Sequence, residues 1–194
     1  MSGDWLATDR ADLAAERILD AAARLFAERG VAAVGMRDIA TAAGCSRATL
    51  YRYFENRQAV RVAFVHRETR RIVADLAEQF RDVADPGERV VATMLGAIAA
   101  VRADPLLIAW FRPGDSDTAG RISQDSDVIE SLVAAMFADA DLSDPERSRL
   151  ARWLTRMIVS FLAIPGRDAA DERAMLAEFV APIVTRSAPT WVDG

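Results

Sequence analysis

The chain has 194 residues, 52% of them hydrophobic, enough to bury a sizeable core. Its single cysteine excludes an internal disulfide, and no apolar run reaches the length of a membrane span. The net charge of −5 argues at first against a nucleic-acid partner, but residues 35–71 hold eight arginines against three acids, and DNA binding requires only a local positive face.

Alanine and leucine dominate and β-branched runs are scarce, so an all-α fold is expected. Residues 1–10 are polar and expected to fray. They lack a basic start followed by an apolar stretch, so no signal peptide is read and a reducing cytoplasm is the expected location. Residues 12–29 space Ile18, Leu19, Ala22, Leu25 and Phe26 on one face, which predicts an amphipathic helix stopped by Gly30. Two short helices follow at 36–43 and 47–54, separated by Gly44, Cys45 and Ser46. Ser46 is a natural N-cap for the second, and Gly44 suits the left-handed end of the first. Two such helices across a glycine turn make a helix-turn-helix.

A longer helix is predicted over 57–80, ended by Asp85-Pro86-Gly87, and another over 88–103 before Asp104-Pro105. Residues 106–111 read as a short apolar helix closed by Pro113-Gly114. Residues 115–127 are polar and read as a mobile loop. A helix over 128–138 comes next. Pro145 fits the first turn of a further helix, whose Leu150, Trp153, Leu154, Met157, Ile158, Phe161 and Leu162 repeat at helical spacing. Pro165-Gly166 closes it. The last helix is predicted over 169–185, kinked or ended near Pro182. The total is about nine helices and no strand.

In a helix-turn-helix the second helix enters the major groove, with its first residues facing base edges. Here Leu50 and Phe54 are four apart and face the core, which leaves Arg47, Ala48, Tyr51 and Arg52 outward. Arginine pairs bidentately with guanine, and Ala48 permits close approach or contact with a thymine methyl. Ser46, Thr49, Tyr51 and Tyr53 supply hydroxyls, Arg57 is a candidate phosphate clamp, and Arg37 points to the groove edge.

The blocks Ile18-Leu19-Asp20-Ala21-Ala22, Leu25-Phe26-Ala27-Glu28-Arg29-Gly30, Arg37-Asp38-Ile39-Ala40, Ala43-Gly44-Cys45-Ser46 and Thr49-Leu50-Tyr51-Arg52-Tyr53-Phe54 resemble the TetR family of repressors. The match spans roughly residues 15–65, in the right order. The chain departs from the family at Val34-Gly35, where a Thr or Ser is usual, and at Arg57, where Lys is usual. The resemblance implies a DNA-binding domain over 1–56 and an effector-binding, dimerising body over 57–194. It also implies a homodimer paired through its last two long helices, on double-stranded operator DNA, released by a small lipophilic effector.

Within the body, Met94, Leu95, Ile98, Trp110, Phe111, Met136 and Phe137 are candidates to line an apolar effector cavity. Trp153, Leu154, Met157, Phe161 and Phe179 are candidates for the dimer interface. Cys45 reads as a packed turn residue, and His66 has no second ligand near it to suggest a metal. No cofactor is expected. No glycine-rich phosphate loop, His pair or nucleophile elbow is present, so an enzyme is not expected. The alternatives left open are a helical dimeric adaptor without DNA binding, and an enzyme of unknown reaction.

Overall fold

Caps and apolar spacing set the helix boundaries. The computed structural model describes residues 5–112, 116–138 and 142–185. Among these run eleven α-helices: α1 (Trp5–Arg29), α2 (Met36–Ala43), α3 (Arg47–Tyr53), α4 (Arg57–Gln79), α5 (Pro86–Ala103), α6 (Pro105–Ile108), α7 (Ser116–Gln124), α8 (Asp127–Ala135), α9 (Asp144–Ala163), α10 (Ala169–Phe179) and α11 (Ala181–Thr185). A 3-10 turn, Ala109–Phe111, continues α6. Side-chain caps start most of them: Asn56 accepts from the Ala59 N–H at 2.9 Å, Asp104 from Leu106 at 2.8 Å, and Asp168 from Asp171 at 2.9 Å. Each such bond satisfies a backbone donor that the first turn would leave open.

Two expectations are corrected. Residues 5–10 belong to α1 instead of fraying. Most of the stretch read as a mobile loop is α7, with Ala119 and Ile122 buried. Two apolar residues three apart suffice there because the helix lies against α9 as well as the 3-10 turn, so packing outweighs a polar composition. The final helix divides at Val180, two residues before Pro182, in keeping with the kink or end expected near that proline. Proline has no N–H and its ring collides with the carbonyl four residues back, so α10 ends before it. Pro113 and Gly114, read as the stop after the short apolar helix, lie outside the described residues.

Two clusters make the core. The first joins α1 to α4 with α6, the 3-10 turn and α7 around Phe26, Leu50, Phe64 and Trp110. The second packs α5 against α9, α10 and α11 around Val91, Met94, Leu154 and Leu176. Gly96 allows α5 to cross the end of α4 closely: a Cβ there would lie 2.6 Å from Leu76 Cδ2. No single helix among the described residues is long and apolar enough to cross a membrane.

One buried ion pair ties α5 to α10. Arg102 donates to both carboxylate oxygens of Glu172, at 2.8 and 2.7 Å, and also to the Phe161 carbonyl at 2.9 Å. Glu172 is 2% exposed and also accepts from the Gly166 N–H at 2.8 Å. The Arg102 hydrogen bond, seconded by that of Gly166, holds the Glu172 carboxyl below the usual carboxylate range against the opposing effect of burial. Removing Glu172 leaves the partly exposed Arg102 with only the Phe161 carbonyl, so Glu172→Ala is expected to cost about 2 kcal/mol. The folded carboxyl is the more acidic, so its contribution is complete above the unfolded value of about 4.3 and fades as pH falls through the folded one. Chemical denaturation at pH 7 and again near pH 3 checks this: the gap between wild type and variant closes in acid.

Candidate nucleic-acid interface and internal cavity

The turn between α2 and α3 is built as its residue types require. Gly44 sits at φ 66°, a left-handed conformation, and its N–H closes on the Thr41 carbonyl at 3.2 Å. Ser46 Oγ accepts from the Thr49 N–H at 3.0 Å and lies 2.9 Å from the Thr49 hydroxyl. The two hydroxyls therefore serve the cap first. Gly35 caps α2 through its backbone: its N–H donates to the Asp38 carboxylate at 3.0 Å. Leu50 and Phe54 point into the core, 0% and 7% exposed. That anchoring fixes the opposite face of α3.

That face presents Arg47, Ala48, Tyr51 and Arg52, all exposed, with Ser46 at its start and Arg37 exposed on α2. Thr49 and Tyr53 are half-buried at its edge. Arg52 donates to the Tyr53 hydroxyl at 3.3 Å and lies over its ring at 5.1 Å, so these two act as a unit. Arg57 is exposed but gives one N–H to the Ala32 carbonyl at 3.0 Å, which braces the start of α4 against the turn before α2. A planar cation with five donors keeps others for a phosphate. Cys45 is half-buried against the first core cluster, as a small packed turn residue is.

A second feature lies in the body. Helices α4, α5, α7, α8 and α9 enclose an apolar cavity of about 170 Å³. Of the residues proposed from the sequence, Met94, Trp110, Phe111, Met136 and Phe137 are on its wall. Leu95 and Ile98 are not. The cavity side of α5 carries Val90, Thr93, Met94, Ala97 and Val101, while Leu95 turns to the second core cluster and Ile98 is buried away from the wall. Helical spacing separates buried from exposed positions but not one buried neighbour from another.

Trp110 joins the cavity to α1 and α4. It stacks on Phe64 of α4 at 5.5 Å and meets Phe26 of α1 edge-on at 5.3 Å. The adjoining Arg112 donates to the Ala27 carbonyl of α1 at 2.8 Å. Sequence reasoning missed this junction, since the contact partners lie far apart in the chain. The conjunction of an apolar Trp-Phe pair with a flanking Arg between two prolines was the only available signal.

Leu154, expected in the dimer interface, is 2% exposed and faces the cavity. On α9 the inward face is Leu150, Leu154, Ile158 and Leu162, which turns Leu154 away from any partner subunit. Trp153, Met157 and Phe161 are half-buried on a neighbouring stripe, and Phe179 on α10 is 61% exposed. His66 is not on the cavity wall. Its Nε2 lies 2.7 Å from the Ser126 hydroxyl that caps α8, and burial and Arg70 push its pKa down, so it is neutral at pH 7. Among the described residues no cluster of His, Cys, Asp and Glu suits a metal.

A short recognition helix anchored by Leu50, behind a left-handed glycine and a serine cap, defines a helix-turn-helix transcriptional regulator. The profile described as bacterial regulatory proteins, tetR family, matches residues 18–64. An uncharacterized HTH-type transcriptional regulator of Mycobacterium tuberculosis is 51% identical over 183 residues, covering 94% of this chain and 91% of that one. The HTH-type transcriptional repressor KstR of Rhodococcus jostii is 31% identical over 156 residues, covering 73% of each. The crystal structure of the TetR family repressor AlkX from Dietzia, implicated in biodegradation of n-alkanes, superposes with a TM-score of 0.67 at 24% identity, over 87% of this chain and 93% of that one. The chain belongs to the TetR family of transcriptional regulators.

Proposed function

We propose that this regulator is a homodimeric repressor that holds a near-palindromic operator and is released by a small lipophilic effector. Residues 1–56 form the DNA-binding head and 57–194 the effector-binding, dimerising body. The observation that carries the reading is Trp110, one side chain that both walls the cavity and packs on Phe26 of the head. A ligand against Trp110 acts on α1 and α4 directly. It releases DNA only insofar as it binds one arrangement of the heads better than the other, by a few kcal/mol.

Arg47 and Arg52 read base edges in this account, with Ala48 admitting the duplex. Arg37, Ser46, Thr49, Tyr51, Tyr53 and Arg57 position the backbone. The twin recognition helices lie about 34–36 Å apart, one turn of DNA. Pairing runs through Trp153, Met157 and Phe161 of α9 and Phe179 of α10, joined by Ile164 and Ile183, which are 77% and 39% exposed. A half-buried apolar stripe on α9 together with exposed Ile164, Phe179 and Ile183 at its end and on α10 and α11 suits a symmetric contact. The names of two relatives, a repressor and a regulator implicated in n-alkane biodegradation, accord with repression and an apolar effector.

Selection of bound duplexes from random DNA tests this. The expected product is a two-fold symmetric site with half-sites one turn apart, from which the protein dissociates on addition of a cavity ligand. Enrichment of no duplex would instead favour a dimeric adaptor, and an asymmetric site would contradict the paired heads.

A further inference from the structure

The cavity wall holds two polar atoms that nothing in the described structure satisfies. Thr155 Oγ1 and Trp110 Nε1 are buried without a hydrogen-bond partner, in residues 7% and 2% exposed. Both residues line the cavity. A threonine within a helix ordinarily gives its O–H to the carbonyl four residues back. Thr41 does so to Arg37 at 3.0 Å and Thr185 to Ala181 at 3.2 Å. Thr155 does not. Unpaired buried polar groups are costly and uncommon, and here both belong to residues that line the cavity, one on the 3-10 turn and one on α9.

The chemistry of the two atoms limits the ligand. An indole N–H donates and cannot accept, so its partner is an acceptor. The threonine hydroxyl donates equally well to the same kind of group. The wall includes no Lys, Arg or His, and its one charged residue, Glu68, is already held by Arg67 at 2.9 Å and Arg71 at 3.0 Å. An anion inside would find no counter-charge and would pay the full cost of leaving water. Arg81 and Arg89 line an outer cleft that shares Leu76, Val90, Thr93, Met136 and Phe137 with the cavity but not Trp110 or Thr155.

We infer that the effector is a neutral, mainly apolar molecule carrying one acceptor oxygen, as in a ketone, aldehyde or ester, which takes hydrogen bonds from Trp110 Nε1 and Thr155 Oγ1. This rests on the cavity being the effector site. Trp110, one of the two donors, is also the residue that packs on Phe26 and Phe64.

The test is calorimetric titration of the full-length protein with 2-heptanone, heptane and heptanoate, in wild type, Thr155→Val and Trp110→Phe. The ketone is expected to bind at least tenfold more tightly than the carboxylate. Thr155→Val is expected to shift the ketone-to-heptane affinity ratio about tenfold toward heptane, and Trp110→Phe to shift it the same way. Thr155→Val should melt no lower than wild type, since it removes an unsatisfied hydroxyl. A ratio unmoved in both variants overturns the inference, as does heptanoate binding as tightly as the ketone, the more so if Arg89→Ala abolishes it. Binding of none of the three probes defeats the effector-cavity reading itself, a result distinct from heptane and ketone binding with no response to the variants.

Discussion

Arg47→Ala is expected to erase most of the preference for the selected operator over unrelated duplex. Arg47 is the first residue of α3, exposed and held at the groove-facing end by the Ser46 cap. A bidentate arginine–guanine pair discriminates by roughly 1–3 kcal/mol, and a symmetric dimer makes the pair twice. The loss of preference is therefore about a hundredfold or more. Affinity for unrelated DNA changes far less, because that binding comes from phosphates. Fluorescence anisotropy against the operator and a scrambled duplex, at matched salt, separates the two. Arg57, which bonds back to Ala32 and is proposed to meet only the backbone, is the contrast: its loss is expected to weaken both duplexes alike. An Arg47→Ala protein that still prefers the operator would assign base reading elsewhere on α3.

Phe179→Asp is expected to yield a folded single subunit with poor operator affinity. Phe179 is 61% exposed, so a carboxylate there leaves the chain's own core intact. In the proposed dimer the same position would be buried against its twin, where an unpaired charge is strongly disfavoured. Losing the pair removes the gain from binding two half-sites with one molecule, a factor of about a thousand. Circular dichroism checks the fold and sedimentation the mass. A variant that stays dimeric with normal operator affinity would move the interface away from α10.

The helix-turn-helix is legible because its determinants are local. Gly44, the Ser46 cap and the Leu50–Phe54 pair act within a few residues of one another, so the spacing alone fixes which face of α3 is outward. The body is legible only in part. Periodicity marks Leu95, Ile98 and Leu154 as apolar-face residues, but their neighbours are set by helix packing across long separations, which places Leu154 on the cavity and Leu95 off it. Helix α7 is hidden for a related reason: Ala119 and Ile122 give too small an apolar stripe until α9 lies beside it. The Trp110–Phe26–Phe64 contact, on which the proposed communication between cavity and head depends, is hinted at locally only by the Trp110-Phe111-Arg112 run, and its partners in α1 and α4 have no mark in the sequence.

Sedimentation of the purified protein alone and with its selected duplex is the most direct check on a paired, groove-reading molecule. A two-chain particle in free solution is expected, and one such pair on each duplex. A single chain in solution, or no comigration with any duplex at low ionic strength, would contradict it.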